Sequence, residues 1–181
     1  MTYYGAKNLA ESFRTVRKNT IAIAEEIPAE KYDFMPVPGV RSVGAQLAHI
    51  TVSPRWQIDA HGQGIDFIDF AFFGQRLAEA AAEEQALRTK DQIVEALTAD
   101  GEKLANFLDS LSESKLAEIV VFPPQVLPSR RSRFEMLLAV KEHEMHHRAQ
   151  LMLIQRLLGI VPHLTRQRDA SMAAAAVGGK G

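Results

Sequence analysis

Between residues 6 and 27, Leu9, Phe13, Val16, Ile23 and Ile27 recur every three or four positions, with Thr20 in the same stripe. That period belongs to a helix buried along one face, and Pro28 stops it. Residues 32–40 hold Pro36, Pro38 and Gly39 and read as a loop. Ser42 is a good N-cap for a second helix carrying Val43, Leu47 and Ile50, which Pro54 interrupts. From His61 to Ala86 the pattern weakens. Gly62, Gly64 and Gly74 predict a loop, with a helical turn or two over 76–87. Thr89 and Gln92 have the spacing of a capping box, in which each side chain satisfies an orphan amide of the other residue. The helix they open carries Ile93, Leu97, Leu104, Phe107, Leu108 and Leu111, with Asp100 in the middle of that apolar stripe. Residues 119–122 are β-prone and run into three prolines, which predicts an extended crossover. Ser132 and Glu135 form a second capping box, opening a helix that runs to about Leu158 before Gly159 and Pro162.

Four amphipathic helices with one long connection, and no alternation of strand and helix, predict an all-α four-helix bundle with a long crossover. A chain of 181 residues fits one domain. Its expected extent is 1–165, with 166–181 as a flexible tail on account of its Ala-rich and Gly-rich end. Apolar residues make up 46% and the net charge is −1, so no global attraction to nucleic acid or to an anionic membrane is expected. Arg130, Arg131 and Arg133 are locally basic and read as a solvated helix start. No run is long and apolar enough for a membrane span, and the first residues lack the basic start and apolar core of a leader. The absence of cysteine fits a reducing cytoplasm, the expected compartment. It also means that any metal must be held by His, Asp or Glu, and that any thiol chemistry must use a thiol brought by a substrate.

The informative stretch is His143-Glu144-Met145-His146-His147-Arg148-Ala149-Gln150. His143 and His147 are four apart, so on a helix both rings leave the same face one turn apart, a spacing that suits two ligands of one ion. Their face also carries Met136, Ala139, Val140, Gln150, Leu151, Ile154 and Leu158, whereas Lys141, Arg148 and Gln155 lie opposite and suit solvent. Two unpaired imidazoles on a core face would each cost about 2 kcal/mol or more in desolvation, a penalty that a shared metal removes. His49, on the second helix beside Gln46 and Ser53, is the third candidate ligand. Gln150, His146 and Asp100 are candidates to hold a ligand's other nitrogen or to touch substrate; for Asp100 a partly exposed position is the simpler reading. His61 and His163 fall in loops and carry no assigned role.

As written, His143-Glu144-Met145-His146-His147 also satisfies the zincin pattern, in which the Glu is the general base. That reading needs a third ligand downstream and a sheet to align a peptide. His163 lies beyond a Gly-Pro break and no such sheet is visible, so a protease is disfavoured.

Residues 36–50, Pro-Val-Pro-Gly-Val-Arg-Ser-Val-Gly-Ala-Gln-Leu-Ala-His-Ile, together with 143–151, resemble the DinB family of YfiT-like metalloenzymes. Ala149 stands where that family commonly has glycine. The resemblance implies an up-up-down-down bundle, usually dimeric, in which His49, His143 and His147 surround one divalent ion, with zinc and nickel the usual metals. It further implies a small-molecule substrate, and thiol-dependent S-transferase or isomerase chemistry with a low-molecular-weight thiol. A hydrolase using metal-bound water, and a non-catalytic stress-related helical binding protein, are the alternatives. Trp56, Phe67, Phe70, Phe72 and Phe73 line either a pocket or a dimer contact.

Overall fold

The computed structural model describes residues 4–178. Helix α1 (Ala6–Glu26) is followed by a 3-10 turn over Ala29–Lys31, then α2 (Val43–Val52) and α3 (Arg55–Gly62). Helices α4 (Phe70–Ala86), α5 (Lys90–Asp109) and α6 (Glu113–Ala117) come next. Strands β1 (Ile119–Val121) and β2 (Arg130–Ser132) then precede α7 (Arg133–Leu157) and α8 (His163–Gly178). The bundle is a ring: α1 packs on α5 and α7, and α2 packs on the same two, so α1 and α2 lie across the ring from each other. Helix α4 lies outside the ring against α2.

The starts of the helices follow from their caps. Ser42 Oγ accepts from the Ala45 amide, and the boxes of Thr89 with Gln92 and of Ser132 with Glu135 are both closed. Each such cap satisfies an amide that the helix leaves orphaned and contributes about 1 kcal/mol. Pro54 has no amide hydrogen to continue the ladder, and the chain breaks there into α2 and α3. The crossover expected at 119–128 forms a short antiparallel ribbon that pairs Val120 with Arg131. Residue 67 joins it by a parallel bridge to Val121.

Three expectations are corrected. Helix α4 starts at Phe70, well before the turn or two expected at 76–87, because Asp69 caps it by accepting from the Phe72 amide. His61 ends a helix and His163 begins one, so neither lies in a loop. The expected tail from 166 is helical through Gly178: alanines 173–176 have the highest helix propensity of any residue. Residues 179–181 of that tail lie outside the described residues.

The core has two large apolar clusters and a small third one of Ile68, Val120 and Met136. Of the large ones, one gathers Ile23, Ile27, Leu47, Ile50, Leu97 and Leu151, the other Leu9, Phe13, Leu104, Leu108 and Leu137. Along each helix the gap between the clusters holds a polar or small residue: Arg17 on α1, Gly101 on α5 and Glu144 on α7. Arg17 and Glu144 are 3% and 2% exposed and form an ion pair, with Nη2 to Oε2 at 2.9 Å and Nε to Oε1 at 3.0 Å. Arg17 Nη1 also donates to the Leu97 carbonyl and Nη2 to that of Ile50. One guanidinium therefore ties together all four helices of the ring. A Cβ at Gly101 would lie 2.7 Å from Arg17 Cγ, so only glycine leaves room for this side chain.

Candidate metal centre

His49 leaves α2 and His143 and His147 leave α7 toward one point, each ring half-buried. His143 Nε2 lies 3.2 Å from His49 Nε2 and 3.1 Å from His147 Nε2. The tautomers of two of the rings follow from groups whose roles are beyond choice. The Glu84 carboxylate can only accept, so His49 Nδ1, 2.8 Å from Glu84 Oε1, carries the proton. Gln46 Nε2 donates to the His147 carbonyl at 3.0 Å, and the same amide donates to Gln150 at 2.8 Å. The Gln150 atom in that bond is therefore its oxygen, and His147 Nδ1, 3.0 Å from it, is the donor. His143 Nδ1 faces Ser53 Oγ at 3.5 Å, and since a hydroxyl can donate or accept, this contact does not fix the His143 tautomer. His49 and His147 thus each turn a free Nε2 lone pair toward His143 Nε2.

Such an arrangement suits a cation. Two free lone pairs point at His143 Nε2, and the one ring proton of neutral His143 is the only one that can lie among the three nitrogens. A divalent ion at the usual metal–imidazole distance of about 2.0 Å separates neighbouring ligand nitrogens by roughly 2.9 to 3.3 Å, according to geometry. The spacings here fall in that range. Burial, and then the neighbouring rings of His147 and His49, push His143 down to about 4, and burial also lowers His147, so both are neutral ligands at neutral pH. The donor set fits a divalent metal. Pinning the distal nitrogen of a ligating histidine is how proteins orient such rings and raise their basicity.

Beside the three rings opens a cavity of about 370 Å³, lined by His49, His143, Ser53, Trp56, Phe73 and Leu77 among others. Trp56 and Phe73 meet edge to face at 5.9 Å. Of the aromatic residues between positions 56 and 73, these two line the cavity, while Phe72 packs beside the buried Ile68 and Phe67 and Phe70 are exposed.

The structure brings Gln150 to His147, as its position on the helix suggested. His146 is exposed and accepts from Gln150 Nε2 at 3.1 Å, at the rim. Asp100 does not approach the site: both Nε and Nη2 of Arg55 bind its Oδ2, at 2.8 and 2.6 Å. The polar stripe of Gln46 and Ser53 faces inward, onto α7 and the cavity. The buried face of α7 is rotated from the expected one. Glu144 and Gln155 are 2% and 0% exposed, so the buried face extends round the helix to Gln155, which was expected in solvent. Glu144 meets Arg17 there, which removes it from any role as the general base of a zincin site. Arg133, expected on a solvated face, is 1% exposed and pairs with Glu118 at 2.9 Å. Glu84 was missed in the sequence; it lies on the helix whose start was misplaced, and nothing local marks it as the partner of a residue 35 positions away.

These features define an all-helical bundle with a three-imidazole centre in the wall of a cavity. The model of the DinB superfamily matches residues 12–151, all three histidines included, and the chain belongs to that superfamily. Among solved structures it is similar to a DinB-like protein, YjoA, from Bacillus subtilis, with 20% identity and a TM-score of 0.63. The likeness covers 83% of this chain and 91% of that one, and at such identity it concerns the fold. No curated protein matches the chain. No helix among the described residues is long and apolar enough to cross a membrane.

Proposed function

We propose that the protein is a metal-dependent enzyme in which His49, His143 and His147 hold one divalent ion, zinc or nickel, and in which a small molecule reacts in the adjoining cavity. The observation that carries this is the convergence of three Nε2 atoms, with two of the rings, His49 and His143, lining that cavity and the distal nitrogens of His49 and His147 held by Glu84 and Gln150. A centre with three protein ligands and open positions is the arrangement of catalytic sites, while structural sites close all four. When bound, the ion would lower the pKa of a substrate thiol or a water at those positions. Thiol-dependent transfer is the leading chemistry because the DinB resemblance implies it, and with no cysteine in the chain the thiol would come with the substrate. The protein's own contribution is to fix the rings and to set the apolar side chains of Trp56, Phe73 and Leu77 beside the reacting group. Hydrolysis is the second reading, favoured by one observation: a carboxylate, Glu84, lines the cavity beside the three rings and is engaged by His49 through Oε1.

The test is elemental analysis of the tag-free protein beside the His143→Ala, His147→Ala double variant, each after incubation with zinc or nickel. Near one ion per chain in the wild type and none in the variant is expected, followed by a screen of thiol acceptors. No ion in either protein overturns the reading.

A further inference from the structure

One buried chain of hydrogen bonds ends at the cavity and is used by nothing described above. Arg133 Nη1 lies 2.9 Å from His61 Nδ1, and His61 Nε2 lies 2.8 Å from Gln57 Oε1. Arg133 and His61 are each 1% exposed. A guanidinium can only donate, so His61 Nδ1 accepts and its proton sits on Nε2. That proton can only be given to an acceptor, so the Gln57 atom facing His61 is the carbonyl oxygen. The orientation of the Gln57 amide is thereby fixed by logic that begins at Arg133, which Glu118 holds in turn. What remains is the Gln57 amide nitrogen, with no partner among the described residues, on a side chain that lines the cavity.

The other polar groups on the cavity wall have a common sense. Arg41 lines it with no side-chain partner among the described residues. Arg76 lines it too, paired with Glu79 at 2.9 Å and stacked over Phe72. Glu84 is the one carboxylate there and is engaged by His49. Between these groups the wall is apolar, made by Trp56, Phe73 and Leu77.

We infer that the substrate of this site is a small organic carboxylate, with an apolar body between Trp56, Phe73 and Leu77 and its acceptor oxygens received by the Gln57 amide nitrogen and Arg41. This deepens the metal-enzyme reading and rests on it for the reaction, but not for the binding. A single negative charge suits the wall better than a phosphate dianion, because Glu84 would repel the second charge. His61 and Arg133 act here as positioning residues, holding Gln57 so that it presents a donor and never an acceptor.

The experiment uses the full chain, with chelator and separately with one equivalent of zinc, and measures binding of hydrocinnamate, hydrocinnamamide and phenyl phosphate by calorimetry. With chelator, hydrocinnamate should bind at least about tenfold more tightly than its neutral amide. Gln57→Leu and Arg41→Met should each remove most of that preference while leaving zinc stoichiometry unchanged. Gln57→Glu, which keeps the bond from His61 but presents an acceptor, should abolish hydrocinnamate binding. Equal affinity for acid and amide, no loss in Gln57→Leu, no binding by any probe, or tighter binding of phenyl phosphate overturns the inference. If zinc fails to bind while the acid preference holds, the metal reading falls and this one stands.

Discussion

Glu144→Gln separates two readings of the same sequence. The motif His143-Glu144-Met145-His146-His147 makes Glu144 a general base, whose amide variant would fold normally and lose activity. The structure makes Glu144 the partner of Arg17, at 2.9 Å and 2% exposed. Glutamine there keeps the volume but replaces one acceptor oxygen by a donor that faces the guanidinium, and it leaves a buried charge uncompensated. Breaking a buried pair by removing one partner costs about 3–5 kcal/mol. For a domain of this size, roughly 2–4 °C of melting temperature is lost per kcal/mol, so a drop on the order of 6–20 °C is expected. Because Arg17 also holds the Leu97 and Ile50 carbonyls, the loss reaches α5 and α2 as well as α7. The assay is urea and thermal unfolding followed by circular dichroism, beside zinc stoichiometry at a temperature where the variant is folded. Stoichiometry should be unchanged. The double change Arg17→Met, Glu144→Leu should recover most of the stability, because a well-packed apolar pair avoids the desolvation of both charges. A variant Glu144→Gln that melts within a degree or so of the wild type would refute the reasoning.

Gly101→Ala, which in most helices stabilises, should here cost about 1–3 kcal/mol because the new Cβ meets Arg17 Cγ at 2.7 Å; a raised melting temperature would contradict the tight passage described above. Glu84→Gln should weaken zinc binding by about 10–100-fold, since His49 loses the carboxylate that fixes its tautomer and raises its basicity; competition against a chromophoric chelator reads this directly, and equal affinity would show that Glu84 does not act through His49. Burial, then Arg133 and Lys115, lowers His61 from the usual 6.5 to about 4. The unfolded chain therefore takes up a proton before the folded one, so the stability contributed by neutral His61 is present above pH 6.5 and is lost as pH falls toward 4. Denaturant midpoints of metal-free protein across that range, with a His61→Phe variant as reference, should show the slope in the wild type and a reduced slope in the variant.

How much of this was legible before folding depends on the range of each interaction. Caps are local: Ser42, Thr89 with Gln92, and Ser132 with Glu135 all act within three residues and were readable from spacing alone. The pair His143 and His147 was readable for the same reason, being one turn apart on one helix. Helix α4 was not, because none of its residues is fully buried and so no apolar stripe marks it. The phase of α7 was not legible because its polar Glu144 and Gln155, which local pattern places in water, are buried against α1. Glu144 finds its partner 127 positions away, and no local pattern announces that.

The two polar chains that frame the site have one logic. Each starts from a group whose hydrogen-bonding role cannot change and ends at a group whose role could have gone either way. The His147 carbonyl, through Gln46 and Gln150, settles the His147 ring; Arg133, through His61, settles the Gln57 amide. The first leaves an acceptor lone pair directed at the neighbouring imidazoles, which is what a cation requires. The second leaves a donor with no partner on the cavity wall, which is what a carboxylate requires. Neither chain improves packing: the buried Gln46, Gln57, His61 and Arg133 each cost desolvation that an apolar core would avoid. A bundle that needed only to fold could have filled those positions with leucine. That it holds them polar, satisfied at every buried link and open only at the ends that meet the cavity, is the physical case for reading this face of the bundle as a site with two distinct halves, one for a metal and one for the anion it would act on.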